Sequence, residues 1–163
     1  MTSENGIAKS AESYSVAAGL TERGLQVLVE LASGFKRSEA AEHLLVKNST
    51  INYHFWNIGK HVSGDELEHR VMVVMVGAYK EGVLKTQGLV PVNSNLHLSG
   101  REKEVLNLSA KGLTDLQICS SLTPVVSYHT VRTHMRSIKA KLKAKNRFHA
   151  VAISLEAGLI NGE

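Results

Sequence analysis

The amino-acid sequence predicts an all-α chain in which one helical module is used twice. Three observations point there. The residues L-T-E-R-x-x-x-V-L-x-x-x-A-x-G from Leu20 to Gly34 return as L-S-G-R-x-x-x-V-L-x-x-x-A-x-G from Leu98 to Gly112, and self-similarity of this length marks a repeated supersecondary unit. Apolar residues then recur at helical spacing in both stretches, as Val27, Leu28, Leu31 and Ala32 and as Val105, Leu106, Leu108 and Ala110. Only 2 prolines occur, Pro91 and Pro124, and both fall outside the predicted helices.

The elements follow in order. Residues 1–19 are small and polar and read as a loose tail. Thr21 and Ser99 are the residue types that cap a first helix, and Gly34 and Gly112 end it. A short second helix is predicted over about 36–44 and 114–121, anchored by Ala40, Ala41 and Leu44 and by Ile118, Cys119 and Leu122. Residues 85–97 combine Gly, Pro and Asn and read as a linker. The modules are therefore expected at 20–84 and 98–163.

The third helix carries the functional signal. In the second copy Val131, Met135, Ile138 and Leu142 form one apolar seam, while Arg132, Arg136, Lys139 and Lys143 form a parallel row one residue further on. Between Ser127 and Lys145 there are six Lys or Arg and no acid. Such a helix suits a phosphate backbone and fits a major groove in width. A solvated surface stripe is the plain alternative; the preceding short helix and turn favour a helix-turn-helix and DNA contact.

Charge supports the same half. The 163 residues carry a formal net charge of +4 and a pI near 9.2, which favours polyanionic partners. Residues 20–84 hold seven Lys or Arg against eight acids, whereas residues 98–163 hold ten against five. The excess is local to the second copy. Cys119 is the single cysteine, so no intrachain disulfide forms and a buried thiol is expected. The longest purely apolar stretch, Val71 to Ala78, is too short to cross a bilayer, and Met1 to Ser15 lacks signal-peptide character. A cytoplasmic protein with no membrane partner is expected.

Leu98 to Ile160 resembles the LuxR-type (GerE-like) helix-turn-helix DNA-binding domain. The residues that carry the resemblance are L-S-x-R-E-x-E-V-L at 98–106, A-x-G-L-T at 110–114, T-V-R-T-H at 130–134, I-K-A-K-L at 138–142, N-R-x-x-A-V at 146–151 and G-L-I at 158–160. The first copy is similar but weaker, through L-T-E-R at 20–23, V-L at 27–28, A-x-G at 32–34, T-I-N-Y-H at 50–54 and G-V-L at 82–84. The resemblance implies two tandem four-helix modules. In each, the second and third helices form the helix-turn-helix, the third enters the major groove, and the fourth pairs with a counterpart in a dimer. Carried over by position, the groove-facing residues are Arg132, Thr133 and Arg136 in the second copy and Asn52, Tyr53 and Trp56 in the first, with Thr130 and Thr50 near the phosphates. Members of the family usually carry a separate sensing domain; none is read here, so control is expected from abundance, partner binding or occupancy of both modules.

Two departures affect the geometry. The stretch from Leu122 to Thr130 has two more residues than that from Leu44 to Thr50, and includes Pro124, so the second turn is longer. Ser127 is placed to cap the third helix of the second copy, whereas Lys47 stands there in the first, whose helix is expected to cap through Asn48 or Ser49 and start later.

Differences between the copies suggest divided labour. Ile51, Phe55, Ile58 and Val62 repeat the seam, but Asn52, Trp56, Gly59 and Ser63 replace the cationic row. The first copy thus lacks the counterion-release contribution to affinity. Asn52 could read adenine with Tyr53 and Trp56 against thymine methyl groups, the aromatics could anchor a protein interface, or Trp56 could fold into the core; these stay open. His54 and His134 recur at one register, which favours packing over catalysis. The fourth helices, residues 67–84 and 147–158, are expected to be pairing surfaces. V-M-V-V-M-V-G-A-Y is apolar nearly all round and needs cover from the other copy, a second chain or another regulator.

Enzymatic readings find little support. There is no Gly-rich phosphate loop and no Cys/His cluster at zinc spacing, and His54 and His61 stand too far apart to chelate one ion. No catalytic residue, metal, cofactor or small-molecule ligand is expected. The leading reading is a sequence-specific transcriptional regulator that binds double-stranded DNA, with Thr130, Arg132, Thr133, Arg136, Lys139 and Lys143 as its main contacts. The alternative is a co-regulator or anti-activator that pairs with another LuxR-type protein through the first copy, as a homodimer or heterodimer.

Overall fold

Helix ends explain where the chain turns. In the computed structural model, which describes residues 20–64, 66–84 and 97–162, the Thr21 hydroxyl accepts from the Gly24 N–H at 3.1 Å and opens α1 (Glu22–Ala32). Ser99 does the same for α5 (Gly100–Ala110), accepting from Glu102 N–H at 3.2 Å while Glu102 Oε2 accepts from Ser99 N–H at 2.7 Å. This is a capping box, in which two helix-end donors are satisfied reciprocally. Gly34 and Gly112 follow these helices at φ +91 and +78, a left-handed conformation that costs an L-residue steric strain. There Phe35 N–H reaches Glu30 O at 3.1 Å and Leu113 N–H reaches Leu108 O at 3.2 Å, closing each helix as a Schellman motif.

The remaining helices are α2 (Arg37–His43), α3 (Asn48–Gly59), α4 (Leu67–Lys80), α6 (Asp115–Ser121), α7 (Tyr128–Leu142) and α8 (Arg147–Glu156). No strand occurs among the described residues, so the all-helical expectation holds. The second-helix anchors Ala40, Ala41, Ile118, Cys119 and Leu122 are buried, and Leu44 is half-buried. Residues 1–19, read as a tail, and 85–96 of the stretch 85–97 read as a linker lie outside the described residues.

One expectation is corrected. α3 does not start late: it begins at Asn48, the position that matches Tyr128 at the start of α7, with Lys47 in the place of Ser127. Neither Asn48 nor Ser49 caps it, and no side-chain cap bond forms. Ile51 is wholly buried one turn in. Packing of that side chain fixes the first turn, and the exposed N–H groups are left to water.

The fourth helices also find their cover inside the chain. In α4, Val71, Met72, Val74, Met75, Val76 and Ala78 are buried; in α8, every residue from His149 to Leu155 is. α4 packs on α3 and α5, while α8 packs on α7, α5 and α1. Of the three covers expected for the apolar stretch of α4, the other half supplies one through α5. The buried apolar residues of α1–α4 and α5–α8 belong to one continuous core. At the far ends of α4 and α8, Lys80 Nζ donates to Gly162 O at 3.1 Å. Burial first, and then the nearby Glu156 carboxylate, raise the pKa of the Tyr79 phenol.

Candidate nucleic-acid interface

The second and third helices of each half are joined by a turn, Leu44–Lys47 between α2 and α3 and Leu122–Ser127 between α6 and α7. The longer second turn is braced by Arg101, whose Nη2 donates to Thr123 O at 3.0 Å. Ser127 caps α7, its hydroxyl accepting from Thr130 N–H at 3.1 Å and lying 2.9 Å from Thr130 Oγ1. Val131, Met135, Ile138 and Leu142 are all buried, as the seam requires.

Rotation of α7 about its axis is fixed from behind by a buried carboxylate. Glu102 on α5 is only 4% exposed. Its Oε1 accepts from Ser137 Oγ at 2.7 Å, and its Oε2 accepts from Lys141 Nζ at 2.7 Å and from Ser99 N–H at 2.7 Å. Burial alone would raise the carboxyl pKa; the bonds from Lys141, Ser137 and Ser99 outweigh it and hold the value down at about 2. The carboxylate therefore stays charged and grips α7 on the flank away from the cationic row. Sequence reasoning missed this residue, although the S-x-x-E spacing at 99–102 is a capping-box signature.

The row itself is outward. Arg132 and Arg136 are exposed and Lys139 is half-buried. Lys143 is exposed as well, but it is the C-cap of α7 at φ +52, so it leaves the helical row rather than extending it. Among the described residues none of the four is ion-paired with an acid. The carboxylate beside them is Asp115, which lines a cavity of ≈ 120 Å³ with Arg132, Met135, Arg136 and Lys139. Arg147 of α8 takes Asp115 in an ion pair. Asp115 is thereby held while the row is left to solvent. Arg132 stacks its guanidinium 5.7 Å from the Tyr128 ring centre. Thr133 is exposed and its hydroxyl donates to His129 O at 3.0 Å, which leaves its lone pairs to accept. Thr130 is half-buried at the N-terminal turn.

The matching face of α3 is neutral. Asn52, Tyr53 and Trp56 are all exposed, with Trp56 at 52% and Tyr53 at 62%. Trp56 is therefore not a core residue, and Lys60 Nζ sits 5.4 Å from its ring centre. Asn57, at the register of Ser137, donates to Tyr53 O of its own helix at 3.0 Å. Gly24 stands where α5 has Glu102, with Ile58 beside it, so no carboxylate at that position reaches α3. His54 and His134 are half-buried. No group of three or more His, Cys, Asp or Glu that could hold a metal occurs among the described residues, and no described helix is long and apolar enough to cross a membrane.

A short helix, a turn and a cation-faced third helix define a helix-turn-helix DNA-binding protein. The family described as bacterial regulatory proteins, luxR family (GerE), matches residues 18–63 and 96–154. This covers more than half of the chain, and the protein belongs to that family of transcriptional regulators. The chain is similar to the Regulatory protein SdiA of Escherichia coli (strain K12), with 26% identity over 99 residues. That match spans 61% of this chain and 40% of SdiA. No solved structure matches the chain significantly.

Proposed function

We propose that the chain is a sequence-specific DNA-binding regulator built of two copies of one module, at 20–84 and 98–163, the second copy being the closer match and the main DNA binder. In this reading it works in the cytoplasm. α7 lies in the major groove. Arg132 and Arg136 bond guanine edges or neutralise phosphates, Thr133 reaches a neighbouring base or phosphate, and Thr130 sits by the backbone at the helix N-terminus. Lys139 and Lys143 neutralise phosphates further along. The observation that carries the reading is the row of cations along α7, none of them ion-paired with an acid among the described residues, with Glu102 and Asp115 taken by Lys141 and Arg147.

Asn52, Tyr53 and Trp56 give the first copy a weaker, uncharged reading face. Asn52 pairs with adenine and the aromatics touch thymine methyl groups or sugars. A second reading rests on the exposure of Tyr53 and Trp56 side by side on α3. Large exposed aromatics are typical anchors of protein interfaces, and in this reading the first copy docks another regulator. A mobility-shift titration against salt tests the main reading. Wild type loses affinity steeply as salt rises, and Arg132→Ala with Arg136→Ala flattens the slope by about 1 for each phosphate no longer neutralised. Asn52→Ala and Trp56→Ala that alter the selected sequence identify a reader; a change in co-purifying mass alone identifies a docking face.

A further inference from the structure

The packing of the two halves on each other is reciprocal. α1 lies on α8, and α5 lies on α4, so the first helix of each half meets the fourth helix of the other. The glycines that end these first helices make the matching contacts. A Cβ on Gly34 would stand 2.5 Å from Nδ1 of His149, the third residue of α8. A Cβ on Gly112 would stand 2.8 Å from the carbonyl oxygen of His69, the third residue of α4, and 2.6 Å from Val73 Cγ2. Further bonds cross the same seam. Asn146 Nδ2 donates to Phe35 O at 3.3 Å, Arg147 Nη1 lies 3.4 Å from His69 Nε2, and the Phe55 and Phe148 rings meet edge to face at 6.4 Å.

A contact in which element i meets j and j meets i is what a two-fold axis produces between identical subunits. Here both partners lie on one chain. The seven consecutive buried residues of α8, from His149 to Leu155, also leave that helix no apolar face for a second chain. Resting on the DNA-binding reading above, we infer that one chain is a closed, built-in dimer. It engages as a single molecule a composite operator of two unequal half-sites. α7 takes the half-site richer in phosphate and guanine contacts, and α3 takes the other through Asn52, Tyr53 and Trp56. The operator class is consequently asymmetric, with half-sites about one helical turn, roughly 34 Å, apart.

The inequality follows from chemistry. An Arg-bearing helix and an Asn- and Trp-bearing helix present different donors, so the two halves cannot select the same bases. A palindrome gives this protein no advantage. Covalent linkage also makes the second half's engagement intramolecular, so its weak face gains from the effective concentration set by the first.

The test uses the full chain and a duplex recovered by selection from a random library. Light scattering of the free protein at micromolar concentration should return the mass of one chain. Native mass measurement of the saturated complex should return one chain per duplex. Inserting about half a helical turn between the half-sites should weaken binding at least about tenfold, as should replacing the weaker half-site, because the tethered half can then no longer engage. A free dimer or two chains per duplex overturns the inference while leaving DNA binding intact. One chain per duplex with indifference to the insertion overturns it as well. Failure of the library to yield any selected sequence instead overturns the DNA-binding reading on which the inference stands.

Discussion

α3 and α7, each the third helix of its half, are held in two ways. Each buries an apolar seam, Ile51, Phe55 and Ile58 in one and Val131, Met135, Ile138 and Leu142 in the other. α7 is additionally capped by Ser127 and clamped by Glu102 through Ser137 and Lys141. α3 has no cap bond, and Gly24, Asn57 and His61 occupy the corresponding clamp positions. The helix that carries the cations is thus also the one with polar constraints on its start and rotation. Phosphates and base edges demand placement to a fraction of an ångström, and directional bonds supply it where apolar packing does not. The uncharged helix tolerates a looser seat.

The sharpest way to break this comparison is to remove the charge from α7. Arg132→Ala with Arg136→Ala should weaken specific DNA binding by about 3 kcal/mol or more, since each bidentate base contact is worth about 1–3 kcal/mol. The same measurement on Asn52→Ala with Trp56→Ala should show a smaller loss and an unchanged salt slope. Equal salt slopes for the two double variants would mean that both halves anchor to phosphate and that the division of labour is wrong. Thermal denaturation should leave Arg132→Ala and Arg136→Ala as stable as wild type, because both side chains are exposed.

A second perturbation addresses the seam between halves. Gly112 and Gly158 both have positive φ, +78 and +63, but only Gly112 has neighbours where a Cβ would go. Alanine at either position costs about 1–2 kcal/mol of backbone strain. Gly112→Ala should cost about 2 kcal/mol more, because Val73 and the His69 carbonyl must move. Denaturant unfolding measures both. Matching losses would show that the two halves separate easily and that α4 and α5 do not depend on each other.

Much of this architecture is legible from the residues, and the parts that are not have physical causes. The seams, the Thr21 and Ser99 caps and the terminal glycines are local signals read within one or two turns. The clamp is half legible: Glu102 announces its capping box, but Ser137 and Lys141 lie 35 and 39 residues away and nothing in the spacing links them. The cover of α4 is undecidable from sequence, because burial by another chain and burial by the other half leave the same apolar pattern. Trp56 stands at the edge of its seam, where helical period alone cannot separate groove from core. The start of α3 departs from the capping rule because tertiary packing of Ile51 replaces a missing cap.

The clamp itself gives a third prediction. Glu102→Gln removes the charge that Lys141 and Ser137 answer, and should cost about 2 kcal/mol, as a buried hydrogen bond to a charged group does. Because the folded carboxyl is held at about 2, below its ordinary 4.5, the clamp's stabilisation is present above pH 4.5 and is lost as pH falls from there toward 2. The variant's acid-denaturation curve should therefore be shallower in that window. Its DNA affinity should also fall while the affinity of the α3 half-site is kept. An unchanged preference for the α7 half-site would detach the clamp from recognition.

The smallest effect belongs to His149, on the α1–α8 side of the seam. The residue is 7% exposed, Nδ1 accepts from Lys145 N–H at 3.3 Å, and Nε2 is buried without a partner among the described residues. Burial first, and then the Lys145 charge, lower its pKa from the ordinary 6.5. The unfolded chain takes up a proton near pH 6.5 that the folded chain resists, so stability is kept above that pH and declines as pH falls below it. Between pH 7.5 and 5.5 stability should therefore fall more steeply with this ring in place than without it. His149→Gln keeps a polar group of similar size but cannot titrate, and should remove that part of the decline in paired unfolding titrations. If the two titrations run parallel, the ring is protonated without opening the seam, and the contact at Gly34 is looser than its 2.5 Å Cβ clearance implies.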